Sequence, residues 1–217
     1  MPGYYAMMAD LTGRRCVVVG GGPVAERETL ALLEAAAQVW VVSPTVTEVL
    51  AHLARDGRIR IEDRPYLRKD LRGTFLIIAA DPDPAINARV AREARDAEVL
   101  AHIMNSPKDG SFLIPSVIRR GELLVAIATA GRSPALARKI REDLERIFGA
   151  EYRRFLEIIV QVRERARREV AEPRARQMLL ESAIASDLLD LVRKGDEAGI
   201  RRRVDAFFRQ PAAVAGR

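Results

Sequence analysis

The run Cys16-Val17-Val18-Val19 ends in three consecutive glycines and passes without a spacer into Pro23-Val24-Ala25-Glu26-Arg27, and this junction constrains the chain more than any other stretch. Four apolar residues in succession read as a strand covered on both faces. The residues after the glycines are helix-forming, so the glycines occupy a strand-to-helix turn. With Gly20, Gly22 and Ala25 in register the pattern is GxGxxA. In a dinucleotide site built this way Gly20 permits the tight turn, Gly22 lets a pyrophosphate come up to the backbone, and Ala25 lets helix and strand pack closely. The pyrophosphate would rest on the helix N-terminus, where free N–H groups and the helix dipole favour an anion. The competing explanation of the same residues is an empty structural turn.

The grammar on either side of this turn decides the fold class. Arg15 to Val19 reads as a strand and Val24 to about Ala36 as a helix, with Leu30, Leu33 and Ala37 recurring on one side. Val39 to Val42 is a second strand, Ser43-Pro44-Thr45 a turn, Thr47 to Arg55 a helix, and Arg58 to Glu62 a third strand after Gly57. Phe75 to Ala80 is a fourth strand. Asp81-Pro82-Asp83-Pro84 opens a helix carrying Ile86, Val90 and Ala94 on one face, and Val99 to Met104 is a fifth strand. Continuous apolar strands alternating with helices predict an α/β domain over residues 1–114, a doubly wound parallel sheet of the Rossmann type. Residues 115–149 predict a small α+β segment: a strand over Leu123 to Thr129, then Ala130-Gly131, and a helix with Ser133 as N-cap and Pro134 at its first position. That segment is too small for a core of its own, so its apolar residues are expected to be buried against the first domain or against a second copy; a homodimer is the favoured expectation. Residues 150–217 carry helical signals alone: Tyr152, Phe155, Ile159 and Val162 on one face, a break at Pro173, Leu188, Leu191 and Val192 before Gly195, then Ile200, Val204 and Phe207. The end, Ala212 to Arg217, is expected to fray.

Composition narrows the setting. The single cysteine, Cys16, lies inside the first apolar run, which leaves neither a disulfide framework nor a thiolate metal cluster and points to the cytoplasm; no metal site is expected. No run approaches the roughly 18 apolar residues of a membrane span, and the N-terminus lacks the charged and apolar regions of a secretion signal. The net charge of +6 favours an acidic partner: nucleic acid, an anionic membrane, or a small polycarboxylate or phosphate. Between Arg163 and Arg176 no aromatics interleave with the arginines, and Glu164, Glu169 and Glu172 dilute them, so a solvated helix face is expected rather than a nucleic-acid surface.

The order GGGPVAER, IIAADPDPAIN, NSPKDGSFLIPS and IATAGRSPALARKIRE resembles the precorrin-2 dehydrogenase module of siroheme synthases, across essentially the whole chain. The Pro107 to Ser116 segment and the Gly131 to Arg138 helix start carry the resemblance more specifically than the glycine turn does. It implies NAD-dependent oxidation of precorrin-2 to sirohydrochlorin, joined in some members to ferrous iron (Fe2+) insertion in the same site, and a dimer built through the central segment. Trifunctional siroheme synthases also carry a C-terminal methyltransferase. This sequence stops at Arg217 short of one, so methylation is expected elsewhere.

Removing a hydride from a reduced tetrapyrrole needs a nicotinamide acceptor, a base for the departing proton, and cations for the substrate's carboxylates. NAD sites of the Rossmann type often place an acid about 20 residues past the glycines; here Val42-Ser43-Pro44-Thr45 stands there instead. The resemblance implies that Pro23, Val24, Pro44 and Thr45 line the cofactor, with Ser43 beside them. No arginine follows before Arg55 to grip a 2′-phosphate, which favours NAD over NADP. The family places an aspartate just before the Ser/Ala/Asp-Pro step after the fifth strand, where this chain has Asn105. An amide has no useful basicity and ligates metals weakly. Three substitutes are open: His102 as base or transient iron ligand, a carboxylate of the substrate, or positioning alone. By resemblance the loop holding Thr129 and Ser133 faces the tetrapyrrole, with Thr129 where the family often has serine. Arg132, Arg138 and Lys108 are the candidate carboxylate partners, since guanidinium and ammonium groups bind carboxylates. A second functional class stays open beside the enzyme: a non-catalytic dimeric tetrapyrrole- or NAD-binding module, motivated by Asn105.

Overall fold

The computed structural model describes residues 3–209, so the end expected to fray, 212–217, lies outside the described residues. The described chain forms two compact units, one holding the residues up to Ile114 together with Ala128–Ser133, the other holding Pro115–Ile127 and the residues from Pro134 onward.

The first unit is built on a parallel sheet of β1 (Arg15–Val19), β2 (Gln38–Val42), β3 (Ile59–Glu62), β4 (Leu76–Ala79) and β5 (Leu100–Ile103) in the order β3-β2-β1-β4-β5. Helices α1 (Pro23–Glu34), α2 (Glu48–Arg55) and α3 (Pro84–Asp96) supply the crossovers. This is the doubly wound α/β arrangement that the strand and helix pattern predicts. Alternate side chains of each strand point to opposite faces. Cys16 and Val18 therefore pack with Ala25 and Leu32 of α1 and Leu50 and Leu53 of α2, while Val17 and Val19 pack with Val90, Ala91 and Ala94 of α3. Val17 and Val18 have no exposed surface, and burying such a side chain contributes about 1.5–3 kcal/mol. The β1–β2 and β1–β4 registers pair Val19 with both Val42 and Ala79, so the C-terminal ends of these three strands finish level with one another. The chain leaves β1 toward β2 and later returns to its other side at β4, which makes the β1/β4 boundary the switch point over which open sheets of this kind bind ligands.

The second unit combines the antiparallel pair β6 (Ser116–Arg120) and β7 (Leu123–Ile127) with α4 (Pro134–Glu145), α5 (Glu151–Glu169), α6 (Pro173–Ile184), α7 (Leu188–Lys194) and α8 (Glu197–Arg209). Strand β6 has no counterpart in the sequence pattern, because Ser116, Arg119 and Arg120 break its apolar alternation. Gly121, at φ +62°, makes the two-residue reversal with Glu122 that brings it onto β7. The helices close over Phe155, Ile158, Val162, Ala183, Leu188 and Ile200. Gly195 ends α7 in the left-handed conformation at φ +66°, and Pro173 starts α6 at its first position.

Candidate dinucleotide-binding and active site

The three glycines after β1 have three different local reasons. Gly20 sits at φ +108°, a region favouring glycine, and a Cβ there would lie 2.5 Å from the carbonyl oxygen of Ala80. Gly21 is packed just as hard from the other side, since a Cβ would fall on the carbonyl oxygen of Thr45. Its own carbonyl accepts the Thr47 N–H at 3.0 Å. Gly22 is different: its φ is −82°, it is the N-cap of α1, and a Cβ on it would meet nothing within 4 Å. The first-turn amides of α1 receive no side-chain cap. An uncapped helix start beneath an empty approach is the geometry a pyrophosphate requires. Ala25, fully buried against Cys16 and Val18, closes the helix onto the strand as the motif predicts.

A cleft of about 450 Å³ opens over this turn at the C-terminal ends of the strands, lined by Gly21, Gly22, Ser43, Thr45, Tyr66 and Asp81 among others. Ser43 is buried, and its hydroxyl donates to the Thr45 carbonyl at 2.7 Å, which holds the turn after β2 and leaves Pro44 and Thr45 exposed. Pro23 and Val24 are exposed on the first turn of α1. The sequence offers no acid at the end of β2, and Glu62 at the neighbouring end of β3 is engaged by Arg64 at 3.1 Å. Tyr66 is a lining residue that sequence reasoning missed, because its place follows only from the path between β3 and β4. Its ring is buried, and its hydroxyl donates to Glu93 of α3 at 3.0 Å. Burial and the Glu93 carboxylate push the phenol well above its usual range, so it stays protonated. An apolar wall, hydroxyls at the β2 turn and an open glycine at a helix start together fit a dinucleotide.

On the other side of the switch point, one buried amide ties two strand ends together. Asn87 of α3 is 1% exposed; its Oδ1 accepts the Asp81 N–H at 3.0 Å, and its Nδ2 donates to the Asp81 carbonyl at 2.8 Å and to Oδ1 of Asn105 at 3.3 Å. Asn105 itself is exposed just past β5. His102 lies away from this group. It pairs in register with Ile78, whose side chain faces α1 and α2, and it is buried with Nδ1 3.2 Å from the Phe112 carbonyl. Burial pulls its imidazole below the ordinary value, against the Phe112 carbonyl and the Glu28 carboxylate, which favour the charged form. Lys108 is exposed in the short 3₁₀ turn Pro107–Asp109. The Thr129 hydroxyl accepts the Ser133 N–H and donates to the Ser133 carbonyl, both at 3.0 Å, closing a turn whose Ala130 and Gly131 are left-handed and whose Arg132 is exposed. Arg138 is exposed on α4 in the second unit. The structure therefore gathers the glycine turn, Ser43 and Thr45 on one cleft, sets Asn105 beside the Asp81 end of it through Asn87, and gives the His102 ring a partner of its own.

The sequence matches the family described as putative NAD(P)-binding over residues 7–116, which is just over half of the chain. The chain belongs to that family. Next to this NAD(P)-binding domain, residues 120–147 match the family described as sirohaem biosynthesis protein central. The chain is 33% identical over 214 residues to siroheme synthase 3 of Aeromonas hydrophila and 34% identical over 217 residues to siroheme synthase of Methylococcus capsulatus; each alignment covers 98% of this chain and 46% of the relative. The chain thus spans slightly under half the length of these curated relatives. Among solved structures it is similar to SirC, precorrin-2 dehydrogenase, with a TM-score of 0.79 and 28% identity over 94% of this chain and 100% of that one.

Proposed function

We propose that this chain is an NAD-dependent precorrin-2 dehydrogenase, which oxidises precorrin-2 to sirohydrochlorin on the route to siroheme. The observation that carries the reading is Gly22: a helix start with no side-chain cap and an unfilled approach, in a cleft at the switch point of a sheet whose relatives are siroheme synthases and a precorrin-2 dehydrogenase. Bound NAD supplies the hydride acceptor. The chain's own groups hold it: the Gly22 amide and the α1 start take the pyrophosphate, Gly20, whose N–H is spent on the Val42 carbonyl at 3.0 Å, shapes the turn beneath it, and Pro23, Val24, Ser43, Pro44 and Thr45 border the rest. NAD rather than NADP suits a β2 turn that presents hydroxyls and no arginine to a ribose.

The substrate carries many carboxylates. Lys108, Arg132 and Arg138 are the cations assigned to them, with Thr129 and Ser133 orienting the macrocycle from their turn. Asn105 cannot take a proton, and its role is to donate and accept hydrogen bonds beside the reacting carbons. His102, the other candidate base, has a buried ring, kept neutral and bonded to Phe112, which suits a positioning role within β5. The working form is a homodimer. The β6–β7 ribbon leaves Val117 39% exposed on the face it shares with Ala126 and Leu124, and a two-stranded ribbon is marginal alone. A cytoplasmic setting goes with the lone thiol of Cys16, which is buried and whose pKa burial raises to about 11.

Mixing the protein with NAD and precorrin-2 tests the reading: NADH and sirohydrochlorin absorbance rise together above the protein-free rate. No rise removes the enzymatic assignment, and tight sirohydrochlorin binding without turnover would put a binding module in its place. The same sample supplied with Fe2+ as a second substrate reads ferrochelatase activity as iron-dependent siroheme formation.

A further inference from the structure

The proposed oxidation releases a proton, and the residue expected to receive it is an amide. We infer that Asp81, at the end of β4, is the proton acceptor in this chain, the carboxylate having its seat on the strand end next to Asn105. This inference rests on the dehydrogenase reading above.

Three observations carry it. Asp81 is the one carboxylate among the described residues lining the cleft. It is fixed there from two sides. Gly20 packs on the Ala80–Asp81 peptide so closely that a Cβ would meet the Ala80 oxygen at 2.5 Å and the Asp81 nitrogen at 2.9 Å. Asn87 grips the Asp81 N–H and carbonyl at 3.0 and 2.8 Å. The same Asn87 amide reaches Asn105 at 3.3 Å, so the two strand ends are neighbours tied by one buried side chain. The topology gives the third reason. With the pyrophosphate on the β1–α1 turn and one half of the dinucleotide over the β2 turn, the other half extends across β4 and β5, where Asp81 and Asn105 stand.

The other acid near Asn105 is placed elsewhere. Asp109 accepts the Ser106 hydroxyl at 2.5 Å and lines a separate groove of about 200 Å³ with Arg95 and Glu98. Asp81 spends one oxygen on the Asp83 N–H at 2.9 Å and has its second available to the cleft.

One C–H bond of the macrocycle breaks with its electron pair passing as hydride to the nicotinamide. The second hydrogen leaves its C–H or N–H bond as a proton to the free Asp81 oxygen, and the electron pair of that bond stays on the macrocycle to form the new double bond. The substrate loses two electrons and two hydrogens, NAD is reduced by two electrons, and the carboxyl returns its proton to solvent.

The Asp81→Asn variant tests this, with NAD affinity by calorimetry read beside turnover. We expect kcat to fall about 100-fold, the range of a positioned general base, with the Kd for NAD changed less than about threefold. Adding Asn105→Asp to that variant restores the carboxylate across the Asn87 bridge and returns the rate to within about tenfold of the starting protein. A rate for D81N close to the unaltered chain overturns the inference. So does a weakened Kd for NAD with kcat intact at saturation, which would make Asp81 a ribose contact, and so does a double variant as slow as the single one. If the unaltered chain forms no NADH, the dehydrogenase reading falls first; if it does and D81N matches it, this inference alone falls.

Discussion

Gly21 and Gly22 are adjacent, chemically identical, and constrained by different things. A methyl group at Gly21 has to displace the backbone at Thr45, and overpacking of that kind costs about 1–3 kcal/mol. At Gly22 the same methyl group meets no protein atom within 4 Å, and the backbone is already in a region any residue adopts. Gly21→Ala is therefore expected to lower the thermal midpoint by several degrees, while Gly22→Ala leaves it within about a degree and weakens NAD binding tenfold or more by occupying the pyrophosphate approach. Thermal melts and calorimetry on both variants check this; equal effects on both quantities would refute the division. The pattern GxGxxA singles out Gly20, Gly22 and Ala25 and treats Gly21 as free, because the atom that forbids a side chain at Gly21 belongs to Thr45, twenty-four residues on. Asp81 is similarly opaque in the sequence, where Asp-Pro-Asp-Pro reads as a helix opening; only the cleft gives its carboxylate a second meaning.

At the scale of elements, the five parallel strands and their three crossover helices were legible because β1 and β4 are continuous apolar runs buried on both faces, which leaves few alternatives for the shorter segments that alternate with helices around them, and because Pro and Asp mark where α3 begins. What the pattern did not show is set by partners outside each segment: β6 is a strand because it pairs with β7 across a tight reversal, and Tyr66, which lines the cleft, is bonded to Glu93 twenty-seven residues on. The segment after β5 shows the same dependence. It doubles back so that Ser111 caps the Ala101 N–H at 2.8 Å and Phe112 offers its carbonyl to His102. His102 holds that return as a neutral ring whose pKa burial has lowered from about 6.5 in the unfolded chain. A base depressed on folding contributes fully above the unfolded pKa, and its contribution is lost as the pH falls below about 6.5, because the unfolded chain then binds the extra proton. Denaturant unfolding of the protein and of His102→Asn, which keeps an amide N–H for Phe112 without titrating, measures this. The variant is less stable by about 1–2 kcal/mol at pH 8, and the gap narrows toward pH 5. A gap that held constant across that range would mean the ring does not titrate with folding.

For the whole molecule, the ribbon in the second unit is the feature that a single chain leaves unfinished. Ile118, 1% exposed, and Val125 lie opposite each other on one face, while Val117 lies opposite Ala126 on the other, where both are exposed and Leu124 beside them is half-buried. A second copy presenting the same face would cover these residues by a two-fold contact, the commonest way a self-complementary patch is buried. The composition of the strands argues for the same outcome: an apolar β7 of Leu123-Leu124-Val125-Ala126-Ile127 with no alternation suits a strand covered on both sides. Sedimentation velocity at tens of micromolar is expected to show a species of twice the chain mass. Val117→Arg sets two guanidinium groups into that contact and shifts the protein to single chains, with the helical circular-dichroism signal unchanged, because the cluster around Phe155, Val162 and Leu188 does not involve Val117. If the unaltered protein sediments as a single chain, or V117R stays dimeric, the ribbon face is not the contact between copies and the exposed valine has another role.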